Sequence, residues 1–429
     1  MDRGRKRSCA ATADRISNLP CNVVDHILTN LPLRDAVRTS VLSSEWRYKW
    51  VTVPYLSFDW TSKANLSGKH NIESVIYQVL ILHRGPIIKF KLNVVDLEPS
   101  PAIGHWLRFL SNHRLEELIL QFSSYLSHKP VPNDLYTLDH LRHLYLVRAQ
   151  LKSPLAFKGF SRLVRLDLEN VYTPYGEFKQ FISKCPLLEY LNVYSNSLVP
   201  DLEIDAPKLK LFHFSGLFIS ICFKNTPVLD EISITLNDTT KQAAAQDSGY
   251  KLIKFFGPVS SSVKRLKVNG NFLQFLGGAG RVPQKLPQSL RHLTVLQLSD
   301  INFILTVEVA CSLCLIRSSQ NLQILEVTSR TTRNNDEEAA AQFLKAQQNC
   351  ELTFSRLENV KINDLSGSEP EMEFLKLLLS AATALMKLEV MSKYACAIEE
   401  ESKILKELVR FRRASIKAEI IFQDRAHNI

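Results

Sequence analysis

LRHLYLVRAQLKSPLAFKGFSRLVRLDL, residues 141–168, repeats one spacing twice: Leu141, Leu144 and Leu146, then Leu163, Leu166 and Leu168. The pattern L-x-x-L-x-L places its last two apolar residues on one side of a short strand, because side chains alternate along extended backbone. The same unit recurs outward in both directions, and a recurrence of this kind is read before anything else. Leu115/Leu118/Leu120 precedes it, with Ile87/Phe90/Leu92 as an atypical first copy. Behind it come Leu188/Leu191/Val193, Leu209/Phe212/Phe214, Leu229/Ile232/Ile234 and Val263/Leu266/Val268. Leu293/Leu296/Leu298, Leu322/Leu325/Val327, Leu357/Val360/Ile362 and Leu385/Leu388/Val390 complete the series.

The middle positions are 28, 26, 22, 25, 21, 20, 34, 30, 29, 35 and 28 residues apart. Most steps lie near the ~20–29 residue period of leucine-rich repeats. The long steps hold insertions: polar Asn237 to Gly249, the Gly277 to Gly280 loop, and Asn335 to Gln347. The last reads as a helix with Asn335 and Glu338 placed like a capping box. One copy cannot bury its own apolar edge, but stacked copies bury a continuous core behind a parallel sheet. The fold class is therefore α/β, a solenoid with its sheet on the concave face. Unrelated strands in an ordinary α/β domain would not repeat one signature so often. Alternation puts Tyr145, Arg165, Asp167, Glu169, Tyr190, Asn192, Tyr194, His213, Arg265 and Lys267 on the exposed side of that sheet. Tyrosines mixed with charge suit the recognition of a target protein.

Ahead of the repeats, DRISNLPCNVVDHILTNLPLRDAVRTSVLSSEWRYKW (residues 14–50) packs three short helical patterns between breakers. Val24, Ile27, Leu28 and Leu31 form one helical stripe, ended by Pro32. Leu33, Ala36, Val37 and Val41 form a second, and Ser43 is placed to cap a third that carries Trp46 and Trp50. A unit this small cannot cover so many large apolar residues by itself.

This stretch resembles an F-box of the plant form that begins D-R-I-S-x-L-P and ends V-L-S-x-x-W-R-x-x-W. The resemblance implies docking onto a Skp-type adaptor and, through it, a cullin–RING ubiquitin ligase. Leu19, Pro20, Ile27, Leu28, Leu31, Pro32, Val41 and Trp46 would carry that docking. Spacing leaves open which of them face the adaptor and which the unit's own core. Ser44-Glu45 stands where such proteins often carry basic residues. The C-terminal pieces SRLENVKINDLSGSEPEMEFLKLLLSAATALMKLEV and FRRASIKAEIIF resemble the FBD region of plant F-box, leucine-rich-repeat proteins. They imply a strand–helix–strand–helix–strand run that caps the solenoid.

The resulting organisation is a basic tail at 1–13, the F-box at 14–55 and a linker with a helix at 56–85. Irregular repeats follow at 86–350, then the FBD-like region at 351–429. The implied role is the substrate receptor of an SCF-type ligase, a non-catalytic subunit binding an unknown target protein. The alternative is a leucine-rich-repeat scaffold, or adaptor-binding interaction protein, that engages no ligase.

Composition agrees with a globular chain: 429 residues, 45% apolar and 22% charged. No apolar run reaches the ~18 residues needed to span a bilayer, and MDRGRKRS is no secretory leader, so no membrane partner is expected. Eight scattered cysteines fit an intracellular protein of the nucleus and/or cytoplasm. The net charge of +10 is densest at Arg3-Arg5-Lys6-Arg7 and Arg410-Arg412-Arg413, without interleaved aromatics, so nucleic acid is not the expected partner. Cys311 and Cys314 form the sole C-x-x-C, inside an apolar helical run where buried structural thiols are the expected reading. No phosphate-binding or nucleophile-elbow motif is present, and neither cofactor nor metal is expected.

Overall fold

A computed structural model describes residues 16, 19–60, 72–94, 101–122, 129–237, 250–278, 282–330, 337–348, 353–393 and 398–423. The chain forms two compact units: Met1–Gln150 with Pro154–Phe160, and Leu151–Ser153 with Ser161–Ile429.

The first unit opens with α1 (Cys21–Asn30) and α2 (Leu33–Arg38). Each is started by a proline whose carbonyl accepts from the first turn: Val23 N to Pro20 O is 2.9 Å and Asp35 N to Pro32 O is 2.8 Å. Val24 and Leu28 of α1 and Leu33 and Ala36 of α2 are buried. The third helical segment departs from expectation. Ser43 Oγ does accept from Trp46 N at 3.4 Å, but residues 44–48 run as turns into a 3-10 turn at Lys49–Thr52. So short a helix gains little from its own hydrogen bonds. Burial of Trp46 and Trp50 sets the path instead, with Trp46 Nε1 donating to Ile16 O at 3.1 Å.

Four parallel strands follow in sequence order: β1 (Tyr55–Trp60), β2 (Lys89–Val94), β3 (Glu117–Gln121) and, beyond the two-residue β4 (Lys129–Pro130), β5 (His143–Val147). β4 pairs separately with β6 (Ala149–Gln150). α3 (Ile72–Leu82) and α4 (Pro101–Ser111) are the return helices. Leu56, Phe90, Leu118 and Leu144 lie opposite one another in register, all buried. β1 is a copy the pattern hides. Val53, Leu56 and Phe58 keep the repeat spacing and are buried, but Pro54 reads as a breaker.

The second unit carries ten parallel strands, each beside its sequence neighbour: β7 (Arg165–Glu169), β8 (Tyr190–Asp205), β9 (Leu211–Lys224), β10 (Glu231–Leu236), β11 (Arg265–Asn269), β12 (Val295–Ile301), β13 (Ile324–Ser329), β14 (Asn359–Leu365), β15 (Lys387–Ser392) and β16 (Glu419–Gln423). Leu166, Leu191, Phe212, Ile232, Leu266, Leu296, Leu325, Val360, Leu388 and Ile420 stack across them in one register row. The helices between are α5 (Glu177–Ser183), α6 (Tyr250–Phe256), α7 (Gly270–Gly277), α8 (Thr306–Ser318), α9 (Glu338–Gln347), α10 (Glu369–Ala381) and α11 (Ile398–Arg410).

The two shortest repeats have no room for a helix, and there the return is itself a strand. β8 and β9 pair a second time, from Leu198↔Leu217 to Asp205↔Lys224. Gly216 sits at the bend with φ +151°, where an added Cβ would lie 2.3 Å from Ser195 O. α9 has Glu337 at its N-cap, without a side-chain cap, and Asn335 lies outside the described residues. The reciprocal bond of a capping box occurs at α10 instead, where Ser368 N donates to Glu371 at 2.9 Å. Glu371 is 1% exposed and also accepts from Ser366 N and Oγ and, at 2.5 Å, from Ser329 Oγ at the end of β13.

Glu308 holds the equivalent first-turn place in α8 and is 0% exposed. Its Oε2 accepts from Asn302 N at 2.9 Å, while Arg330 stands 3.7 Å from Oε1, which has no hydrogen bond. Burial pushes its pKa up to about 7, opposed by the Asn302 N–H and the Arg330 charge.

Candidate functional site

Two surfaces offer themselves. On the helical region of the first unit, the eight sequence-derived docking residues divide by exposure. Leu28 (0%) and Trp46 (3%) lie in the unit's own core. Leu19 and Leu31 are half-buried, and Pro20 and Pro32 are exposed. Ile27 is 37% exposed and Val41 86%. Spacing could not separate Ile27 from Leu28, since both fall within one helical stripe. Exposed apolar residues outside that set include Ile16, Val23, Leu42 and Tyr48. Leu42 was legible in the motif, whereas Val23 and Tyr48 carry no sequence signal of their own. Ser44 and Glu45 are exposed beside Val41 and Leu42 in sequence. In the same unit a groove of about 590 Å³ runs between α2, β1 and α3, lined by Leu33, Val37, Trp50, Phe58, Val79 and Leu82 among others.

The other surface is the solvent side of the sheets. In the first unit Tyr145 stands opposite Ile119, next to a charged row in which Lys89 Nζ and His143 Nδ1 both approach Glu117 Oε1, at 2.9 and 3.3 Å. In the second unit, Arg165 grips Asp167 at 2.8 Å, and Asn192 Nδ2 donates to the same carboxylate. Asp167 is thereby only 9% exposed. Glu169 and Tyr194 face each other in register, and the Tyr194 ring lies 4.9 Å from that of His213. Tyr190 and Tyr194 are exposed, as are Arg265 and Lys267. Burial first, and the Lys267 charge second, lower the His213 pKa, which keeps the ring neutral near pH 7.

Among the described residues, no group of three or more His, Cys, Asp or Glu side chains is placed to hold a metal ion. Cys311 and Cys314 are buried in α8. Burial drives the Cys311 thiol far up and Cys314 to about 11, so both stay protonated and unreactive at neutral pH. No helix among the described residues is long and apolar enough to cross a membrane.

Comparison with known proteins assigns these features. The F-box domain family model matches residues 16–57. The family described as FBD-associated F-box protein At5g56370, LRR repeats, matches residues 103–327. An Arabidopsis thaliana protein, F-box/FBD/LRR-repeat protein At1g13570, is 35% identical over 95% of this chain and 98% of its own length. The chain belongs to the F-box/FBD/LRR-repeat family. Other Arabidopsis relatives of this family extend over similar lengths. F-box/FBD/LRR-repeat protein At3g52680 is 27% identical over 96% of this chain and 93% of its own. F-box/LRR-repeat protein 13 is 28% identical over 98% of this chain and all of its own. Members of the family are typically non-catalytic adaptors, and F-box domains generally bind Skp1-type adaptors of cullin–RING ligases.

Proposed function

We propose that this F-box/FBD/LRR-repeat protein is the substrate receptor of an SCF-type ubiquitin ligase. The F-box docks the Skp1-type adaptor, and the solvent side of the repeat sheet holds a target protein. The chain itself does no bond chemistry. It raises the effective concentration of the target at the ubiquitin-carrying enzyme.

The observation that carries this reading is the set of solvent-exposed apolar residues on the segment matching the F-box. Ile27, Val41 and Leu42 stay uncovered while Leu28 and Trp46 fill the core. Fixed, exposed apolar surface on so small a unit is what a partner protein covers. In this reading Leu19, Pro20, Leu31 and Pro32 border the contact, and Leu28 and Trp46 support it from behind. The site of action would be the nucleus and/or cytoplasm.

The test is co-purification with a Skp1-type adaptor, wild type against Ile27→Ala/Val41→Ala. The expected result is capture by the wild type and at least tenfold less by the variant, since truncating central interface residues costs ~1–2 kcal/mol or more each. Equal capture by both, or none by the wild type, sinks the proposal. One observation favours a second reading, a scaffold that engages no ligase: exposed Ser44-Glu45 puts a carboxylate beside the docking set. That reading expects no adaptor with either protein.

A further inference from the structure

The middle of the second unit's sheet face is built unlike its flanks. On the central register row, His213 of β9, Ser233 of β10 and Lys267 of β11 lie directly opposite one another. Adjacent strands are ~4.8 Å apart, so the three side chains span ~10 Å. Ser233 is 6% exposed, and its Oγ has no hydrogen-bond partner among the described residues. Leaving a buried hydroxyl unsatisfied is unfavourable, and a bound acceptor recovers that. Lys267 is exposed and makes no ion pair among the described residues, unlike Arg165 on its Asp167 and Lys387 on its Glu389.

No acid stands directly beside the three on the central row. From β8 to β12 the central row reads Asn192, His213, Ser233, Lys267 and Gln297, and the row above it Tyr194, Ser215, Thr235, Asn269 and Ser299. The row below holds one acid, Glu231, which faces Arg265 at 3.9 Å. Along the central row the next acids are Glu326, two strands beyond Lys267, which accepts from Gln297 Nε2 at 2.8 Å, and Asp167, two strands beyond His213, which is held by Arg165 and Asn192. The ring of Tyr194 packs beside His213 and limits where the imidazole points. A neutral imidazole N–H, a hydroxyl and an ammonium thus stand in line as donors, and among the described residues none of the three donates to another side chain. Donors in that arrangement fit an anionic group with two or three oxygens.

We propose that His213, Ser233 and Lys267 form an anion subsite that grips a carboxylate or phosphate on an acidic segment of the target protein. The inference rests on the receptor reading and names the chemistry that its sheet face selects. Lys267 supplies the charge, Ser233 Oγ donates from the floor, and His213 fixes the side approached.

The test uses the full-length chain and fluorescence anisotropy at about 150 mM salt, where exposed charges beyond ~8 Å are screened. The probes are a labelled hexaglutamate peptide, a labelled Gly/Ser peptide with one phosphoserine, and its unphosphorylated form. An anionic probe should bind the wild type, with about tenfold loss in Lys267→Ala and in His213→Ala and several-fold loss in Ser233→Ala. Lys361→Ala, on the same row at β14, should change affinity by less than about twofold. Preference for hexaglutamate assigns a carboxylate, and preference for the phosphoserine peptide over its unphosphorylated form assigns a phosphate. No binding of either anionic probe, or equal losses in Lys267→Ala and Lys361→Ala, overturns the subsite. The same preparations are assayed for adaptor capture. Failure of anion binding with capture intact removes only this inference, and failure of capture by the wild type removes the receptor reading itself.

Discussion

Glu308 offers the sharpest thermodynamic test of the fold. It is fully buried in the first turn of α8, and its carboxyl keeps its proton up to about pH 7 when folded, against an ordinary glutamate value of 4.5. Between those two values the folded chain binds a proton that the unfolded chain has released, so stability must fall as pH rises through that window. At ~1.4 kcal/mol per tenfold change in proton affinity, the gap makes ~3 kcal/mol. Below pH 4.5 both states are protonated and above 7 both are ionised, so the contribution is flat outside the window. Glu308→Gln keeps an acceptor for the Asn302 N–H and removes the titration. The variant should match the wild type near pH 4 and exceed it by ~3 kcal/mol near pH 8. Guanidinium unfolding followed by circular dichroism at each pH step measures the difference. A gap between the two proteins that stays constant from pH 4 to 8 would refute the reasoning.

In the F-box, Leu28→Ala should cost ~2–5 kcal/mol by cavity formation, whereas Ile27→Ala should stay within about 0.5 kcal/mol while weakening adaptor capture; thermal unfolding and pull-down separate the two. Ser44→Lys/Glu45→Arg should strengthen adaptor capture if the missing basic residues matter to docking, read by the same pull-down. Gly216→Ala puts a methyl 2.3 Å from Ser195 O and should destabilise the second unit by ~1–3 kcal/mol, seen as a lower guanidinium midpoint. Iodoacetamide on the native protein should modify exposed Cys21 well before Cys311 or Cys314, as peptide mass analysis would show.

The stacked row was legible because one apolar residue in each copy must meet the next, which leaves a fixed signature in the chain. All twelve middle positions, Phe90 to Leu388, are buried at the expected place on their strands. The copy at Leu56 escaped because Pro54 stands between the matching Val53 and Leu56, and a proline just before a strand removes no ladder bond. The strand returns of β8 and β9 had a signal, the short steps of 21 and 20 residues, that pattern matching alone does not convert into geometry. The third F-box helix failed because indole burial outweighs the weak propensity of so few residues. At the adaptor surface, spacing finds the face of α1 but cannot apportion neighbours, so Leu28 and Ile27 looked alike. On the sheet face, alternation puts Arg165, Tyr190, Tyr194, Arg265 and Lys267 in solvent, but Tyr145, Glu169, Asn192 and His213 are half-buried and Asp167 is buried, tied up by Arg165 and Asn192. Ser233 drew no notice, since a serine in a strand is ordinary until its burial is known.

The bond from Ser329 to Glu371 joins the end of one strand to the first turn of the helix that follows the next strand. It crosses from the repeats into the C-terminal region through a carboxylate that also fastens Ser366 and Ser368. Cutting the chain near residue 351 would strand the Ser329 hydroxyl and bare the long side of β13 to pairing with any other extended chain. Shortened proteins lacking the FBD region would then clump or be cleared, whatever that region contributes to recognition. Its role is better probed by surface substitutions on α11 or β16 than by deletion.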